Sequence, residues 1–138
     1  MSDIREHLQA ELITRHAIAG VGGRVYAGRR PQATALPCLV WRCTGAPRGE
    51  DLAADSGERA ATFEIVVWAE SLLATLEIKE ALIERYHGQE GYDFGGTPAL
   101  EMGSSRLLDE YDGDRVSDTY DDNGAFPLTL VLEFLWDE

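Results

Sequence analysis

Two cysteines stand close together in PCLVWRC, residues 37–43, and the chain has no others. A thiol pair so placed could do redox chemistry, supply half of a metal site, or simply pack. The β-branched and aromatic neighbours, bounded by Pro37 and Gly45, predict a strand over 38–45. A strand rises about 3.3 Å per residue and alternates faces, so Cys38 and Cys43 are expected roughly 16 Å apart on opposite sides. A disulfide needs Cα atoms within about 7 Å. No second cysteine pair completes a zinc site either. Both are read as small buried hydrophobes that stay reduced.

The three histidines, His7, His16 and His87, fall on predicted helices or their ends, without HExxH spacing. A Ser-His-acid triad has no GxSxG turn to carry its nucleophile. His87, near a helix C-terminus, has a structural explanation in the helix dipole. The stretch LLDEYDGDRVSDTYDDNG invites a calcium reading. A hand-type loop needs D-x-[DN]-x-[DN]-G followed six residues later by Glu. Asp109, Asp112 and Asp114 do not keep that spacing. Asn123-Gly124 reads instead as a turn between two strands. No catalytic residue, cofactor or metal site is expected.

The charge is more telling. Residues 1–48 carry seven Arg and three acids, net +4, whereas residues 49–138 carry net −17, for −13 in all. That balance disfavours ordinary nucleic-acid binding, which needs phosphate-neutralising cations. It suits a protein meeting copies of itself through faces of opposite sign. The 138 residues fit one domain spanning 1–138. No 18-residue apolar run predicts a membrane span, and the charged start lacks a signal-peptide core. The expectation is a soluble intracellular product.

The elements that must position these residues follow from periodicity. Residues 2–16 read as a helix capped by Ser2 or Asp3, with Ile4, Leu8 and Leu12 on one face. The GVGG after it follows a helix, where a dinucleotide loop would follow a strand. A short strand and a linker come next, with Pro31 and Pro37 fixing extended backbone. A polar loop over 47–58 leads to a strand over 59–70, with Phe63, Ile65, Val67 and Ala69 on one face and Thr62, Glu64, Val66 and Trp68 on the other. Residues 71–88 give the clearest helix, from an N-cap at Ser71 to a stop at Gly88, with Leu72, Leu73, Leu76 and Ile83 as its apolar stripe. A glycine-rich loop over 88–96 precedes a strand within 97–115, where Gly103 hints at a bulge. The last strand, 125–136, puts Phe126, Leu128, Leu130, Leu132, Phe134 and Trp136 on one face. The expected fold is α+β: a mainly antiparallel four- to five-stranded sheet with two helices packed on one face.

Gly-Gly-Arg-Val-Tyr after a helix, then Pro-Gln, Leu-Pro and an apolar strand ending in Gly, resembles the tail-completion, or tail-terminator, family of long-tailed bacteriophages. ADSGERAATFEIVVWAESLLATLEIKEALIE is similar to that family's loop, strand and helix, and the C-terminal strand pair also fits. The matching landmarks are Gly23, Arg24, Tyr26, Pro31, Leu36, Pro37 and Trp68, taken as fold determinants. The resemblance implies a structural virion protein without catalytic residues. It would form a ring, typically of six subunits, that caps the head-proximal end of the tail tube, stops polymerisation and joins tail to head. Its partners would be its own copies, the major tail tube protein and a head-side connector or stopper. Double-stranded DNA would pass through the lumen without specific binding. Related gene-transfer particles use such proteins too.

Within that expectation, Asp109, Glu110, Asp112 and Asp114 are assigned to an acidic surface facing the lumen or a partner, since like charge lets DNA pass without sticking. Arg24, Arg29 and Arg30 are assigned to a basic surface between subunits. Two other classes compete. An acidic DNA-mimic or inhibitor module would be a monomer with phosphate-like charge spacing. A small α+β enzyme would need a pocket with convergent polar groups.

Overall fold

The computed structural model describes residues 4–14, 24–29, 35–45, 58–95, 100–112, 116–118 and 121–137. The elements run α1 (Ile4–Thr14), β1 (Val25–Ala27), β2 (Cys38–Gly45), β3 (Glu58–Ala69), α2 (Leu72–Tyr86), β4 (Gln89–Phe94), β5 (Leu100–Asp112), β6 (Val116–Asp118) and β7 (Asp121–Asp137). Seven strands among the described residues form the sheet, in the order β1-β2-β3-β7-β5-β4, with β6 joined to β7 off that path. All pairings are antiparallel except β1 with β2. The sheet is therefore larger than the four or five strands expected, and mixed.

The extra strands are β6 and β4, the latter in the stretch read as a glycine-rich loop. Its glycines serve the strand by bending it: Gly91 takes φ 58° and Gly95, just past its end, φ 25°. The hairpin turn also moves. Asn123 and Gly124 lie inside β7, and Asp118 pairs with Asp121 across the β6–β7 ladder. The Gly103 bulge is present as a register shift between Met102 and Ser104, and a Cβ there would meet the Leu135 carbonyl oxygen at 2.9 Å.

One face of the sheet is the core. Ala61, Phe63, Ile65, Val67 and Ala69 of β3 are buried with Leu128, Leu130, Leu132, Phe134 and Trp136 of β7, as the period-2 pattern predicts. Each large side chain so buried contributes about 1.5–3 kcal/mol. Phe134 sits at the centre of an aromatic cluster with Phe63, Tyr86 and Phe94. Of the cysteines, Cys38 is buried on the opposite face, against Trp68 in the ladder; Cys43 lies on the core face and is only half-buried. No disulfide joins the two cysteines.

Both helices cover the core face. α2 begins where Ser71 Oγ accepts from the Ala74 amide at 3.1 Å, and ends before Gly88 at φ 70°. Its buried stripe is Thr75, Ile78, Leu82 and Tyr86. The expected stripe is out of phase: Leu72 and Leu73 are 50% and 68% exposed, and Leu76 and Ile83 are half-buried. The hidden cue is Thr75, whose hydroxyl donates back to the Ser71 carbonyl at 3.0 Å and so can be buried despite its polarity. On α1, Ile4, Leu8 and Leu12 are buried as predicted.

Helix α1 does something the pattern could not reveal. β1 and β4 are opposite ends of the sheet path, yet α1 touches both. Gln9 donates to the Val25 carbonyl at 3.0 Å, and His7 Nδ1 donates to the Gly95 carbonyl at 2.7 Å. A flat path of six strands would be about 24 Å wide, whereas a helix with side chains is about 10–12 Å across. The sheet must therefore curl until its edges flank α1, which straps the opening.

Candidate functional site

The strap is built on a buried carboxylate. Glu11 is 2% exposed and accepts from Arg85 Nε at 3.1 Å, from Tyr86 Oη at 2.9 Å and from the Gly95 amide at 3.0 Å. Three donors, one of them cationic, satisfy a charge that burial would otherwise penalise. Burial and the Glu11 charge push the Tyr86 hydroxyl well above its ordinary range. Arg85 also lies over the Tyr92 ring, 4.7 Å from its centroid, and donates to the Asp93 carbonyl. Tyr92 Oη donates to Ser105 Oγ, which in turn donates to the Tyr86 carbonyl, each at 2.6 Å. The polar groups named here are spent on other parts of the fold. The sequence signal was an acid at helical spacing with Leu8 and Leu12, where a solvent-facing residue does not belong.

The histidines are spent in the same way. His7 binds Gly95, and His87 Nδ1 accepts from the Leu107 amide at 3.0 Å beside the register shift between Leu107 and Asp109. His16 lies outside the described residues.

The surface left over is the sheet's other face, which neither described helix covers. Val40, Val66, Trp68, Val131 and Leu135 line it, half-buried or buried. Two ion pairs cross it. Arg42 Nη2 meets Glu64 Oε2 at 2.5 Å between β2 and β3, and Arg106 Nε meets Glu133 Oε1 at 2.9 Å between β5 and β7. Tyr111 adds a hydrogen bond to Glu64 Oε1 at 3.1 Å. The Arg42 hydrogen bond holds the Glu64 carboxyl below its usual range, against the effect of burial, with Tyr111 assisting. At the β1 side a groove of about 210 Å³ opens among Gly28, Arg29, Val40, Arg42, Val66 and Trp68. Its floor is apolar, and its rim carries the Arg29 guanidinium and the Arg42–Glu64 ion pair.

The predicted site residues divide as follows. Arg24 donates from Nε to the Pro37 carbonyl at 2.8 Å, tying β1 to the cis Leu36–Pro37 bond, while Arg29 is exposed at the groove. Tyr26 is half-buried in β1, and Trp68 is half-buried on the open face. Asp109, Glu110 and Asp112 are all exposed, but the strand alternates them. Asp109 pairs in the ladder with Val131 of the open face; Glu110 and Asp112 pair with Leu130 and Leu128 of the core face. Glu110 reaches Lys79 of α2 at 3.0 Å and raises its pKa. Gly23, Arg30, Pro31 and Asp114 lie outside the described residues.

No protein-family model matches the chain, and neither does any curated protein. Among solved structures, the chain is similar to one in the virion of a native gene transfer agent particle. The TM-score is 0.60 at 14% identity, over 98% of this chain and 92% of that one. A likeness at that identity defines a shared fold.

Proposed function

We propose that this protein is a structural component of a phage-like virion: one subunit of a six-membered ring that caps the head-proximal end of a tail tube. The ring ends tube polymerisation and offers the surface on which the head docks. The fold likeness to a chain of a gene transfer agent virion, extending over 98% of this sequence, carries this reading. The landmarks from Gly23 to Trp68 support it independently from sequence.

On this reading the partners are copies of the chain, the tube protein below, a head-side connector above, and DNA passing through. Asp109, Glu110, Asp112 and Asp114 would line the lumen or face a partner, repelling DNA so that it slides. Arg24, Arg29 and Arg30 would belong to the contact between subunits. The deciding experiment is imaging of intact particles carrying a tagged copy of this chain. Label at the head-proximal end of the tail is the expected result, and its absence there refutes the assignment. A monomer that instead binds a nucleic-acid-binding protein would favour the acidic mimic.

A further inference from the structure

A strand at the end of a sheet turns N–H and C=O groups outward, a template on which another chain can pair. This sheet path ends at β1 and β4. In β1 the Arg24 carbonyl accepts from the Leu39 amide, and the Gly28 amide donates to the Trp41 carbonyl. Residues 24 and 28 thus face β2, and alternation turns the backbone groups of Val25 and Ala27 outward. At the far end of β4, the Asp93 carbonyl meets Arg85 of α2, and Gly95, two residues on, meets α1.

Side chains cap these groups one by one. Gln9 Nε2 donates to the Val25 carbonyl at 3.0 Å, and the Trp41 indole N–H holds the other end of its amide. Glu11 Oε1 accepts from the Gly95 amide at 3.0 Å, and His7 Nδ1 donates to the Gly95 carbonyl at 2.7 Å. Arg85 donates to the Asp93 carbonyl at 3.1 Å while its Nε is held by Glu11. One helix, α1, therefore supplies or steadies each of these caps.

The two edges carry opposite charge. Arg29 is exposed just past the end of β1, and Glu90 and Asp93 are exposed along β4. An uncapped β1 edge fits the β4 edge of another copy, whereas β4 against β4 sets acids face to face. Docking of α1 is only partly apolar, since His7 and Glu11 are buried beside Ile4, Leu8 and Leu12. Water replaces the polar contacts on release, so resistance to opening rests largely on those three apolar side chains.

We propose that α1 is an autoinhibitory strap. Docked, it keeps both edges capped and the chain monomeric; released, it lets the β1 edge of one copy pair with the β4 edge of another. The partner is a second copy because this chain supplies two edges of opposite sign. The contact joins different patches and so repeats head to tail. It is a property of the chain alone, so its failure leaves the ring reading standing.

The test takes the purified full chain without tubes. Native-state hydrogen exchange reads opening, and sedimentation equilibrium reads self-association. In the parent, α1 amides should exchange about tenfold or more faster than those of β3 and β7, through opening short of global unfolding. Glu11→Ala should speed α1 exchange by about a further tenfold and raise the association constant by a similar factor, with β3 and β7 still protected. Gln9→Ala uncaps only Val25 and should raise association severalfold, which keeps a readout should Glu11→Ala not fold. Adding Ala27→Pro to either variant removes an outward N–H on an edge strand, where proline is tolerated, and should return the chain to monomer. Exchange of α1 only together with the whole sheet overturns the proposal. So do opened variants that stay monomeric, or oligomers that persist with Ala27→Pro.

Discussion

At the scale of single residues, stability concentrates where α1 meets the end of β4. A Cβ on Gly95 would lie 2.5 Å from the Glu11 amide nitrogen and closer still to the His7 carbonyl oxygen, both backbone atoms that cannot swing aside. Gly95→Ala should therefore cost about 3 kcal/mol or more, through overpacking and a strained positive φ, read as a lower urea midpoint with unchanged slope. Tyr86→Phe removes one of three donors to a buried carboxylate and should cost about 1–3 kcal/mol. It should also change the alkaline limb. The folded pKa of Tyr86 is raised, so its contribution is whole below about pH 10 and is lost as pH climbs through the folded value. The phenylalanine variant should lose stability less steeply there. Glu64 carries the opposite sign. Its folded pKa is lowered, so its contribution is present above about pH 4.3 and is lost as pH falls through the lower folded value. Glu64→Gln should flatten the acid limb of unfolding free energy measured against pH.

At the scale of elements, α2 offers a direct comparison. Leu72→Gln with Leu73→Gln should leave the free energy of unfolding within about 0.5 kcal/mol, since both side chains are mostly in water. Ile78→Ala, on the buried stripe, should cost about 2–5 kcal/mol. The reverse ranking would restore the stripe that hydropathy alone suggested. The contrast marks where sequence stops being legible. β3 and β7 were readable because alternation of two is unambiguous and every core-facing position from Ala61 to Ala69 and from Leu128 to Trp136 is apolar. α2 misled because a polar residue, Thr75, occupies the core phase while two leucines occupy the exposed first turn. β4 was invisible because its glycines and acids look like a loop, and only pairing with β5 makes a strand of Gln89–Phe94. Glu11 was legible as an oddity on an apolar face, but its partners lie 74 to 84 residues away, beyond any local pattern. Of the groove, Arg29 was expected at a contact; that Val66 and Trp68 would lie beneath it followed only from register.

At the scale of the whole molecule, charge is segregated along the chain, net +4 over residues 1–48 and net −17 over residues 49–138. Rings of the proposed kind, held by contacts between faces of opposite charge, should weaken as salt rises from 0.1 M toward 1 M, where screening shortens to about 3 Å, while the monomer's melting point changes little. Sedimentation and calorimetry across one salt series would separate the two effects. The order of strands has a consequence for how the molecule is made. β7 is the last described strand, yet it lies between β3 and β5, in the middle of the sheet. Until it leaves the ribosome, β3 and β5 have no common partner, and α2 has no floor of Leu130, Leu132 and Phe134 to pack on. Synthesis interrupted before residue 121 should therefore yield a chain that proteases clear, not a partial subunit able to enter an assembly and spoil it.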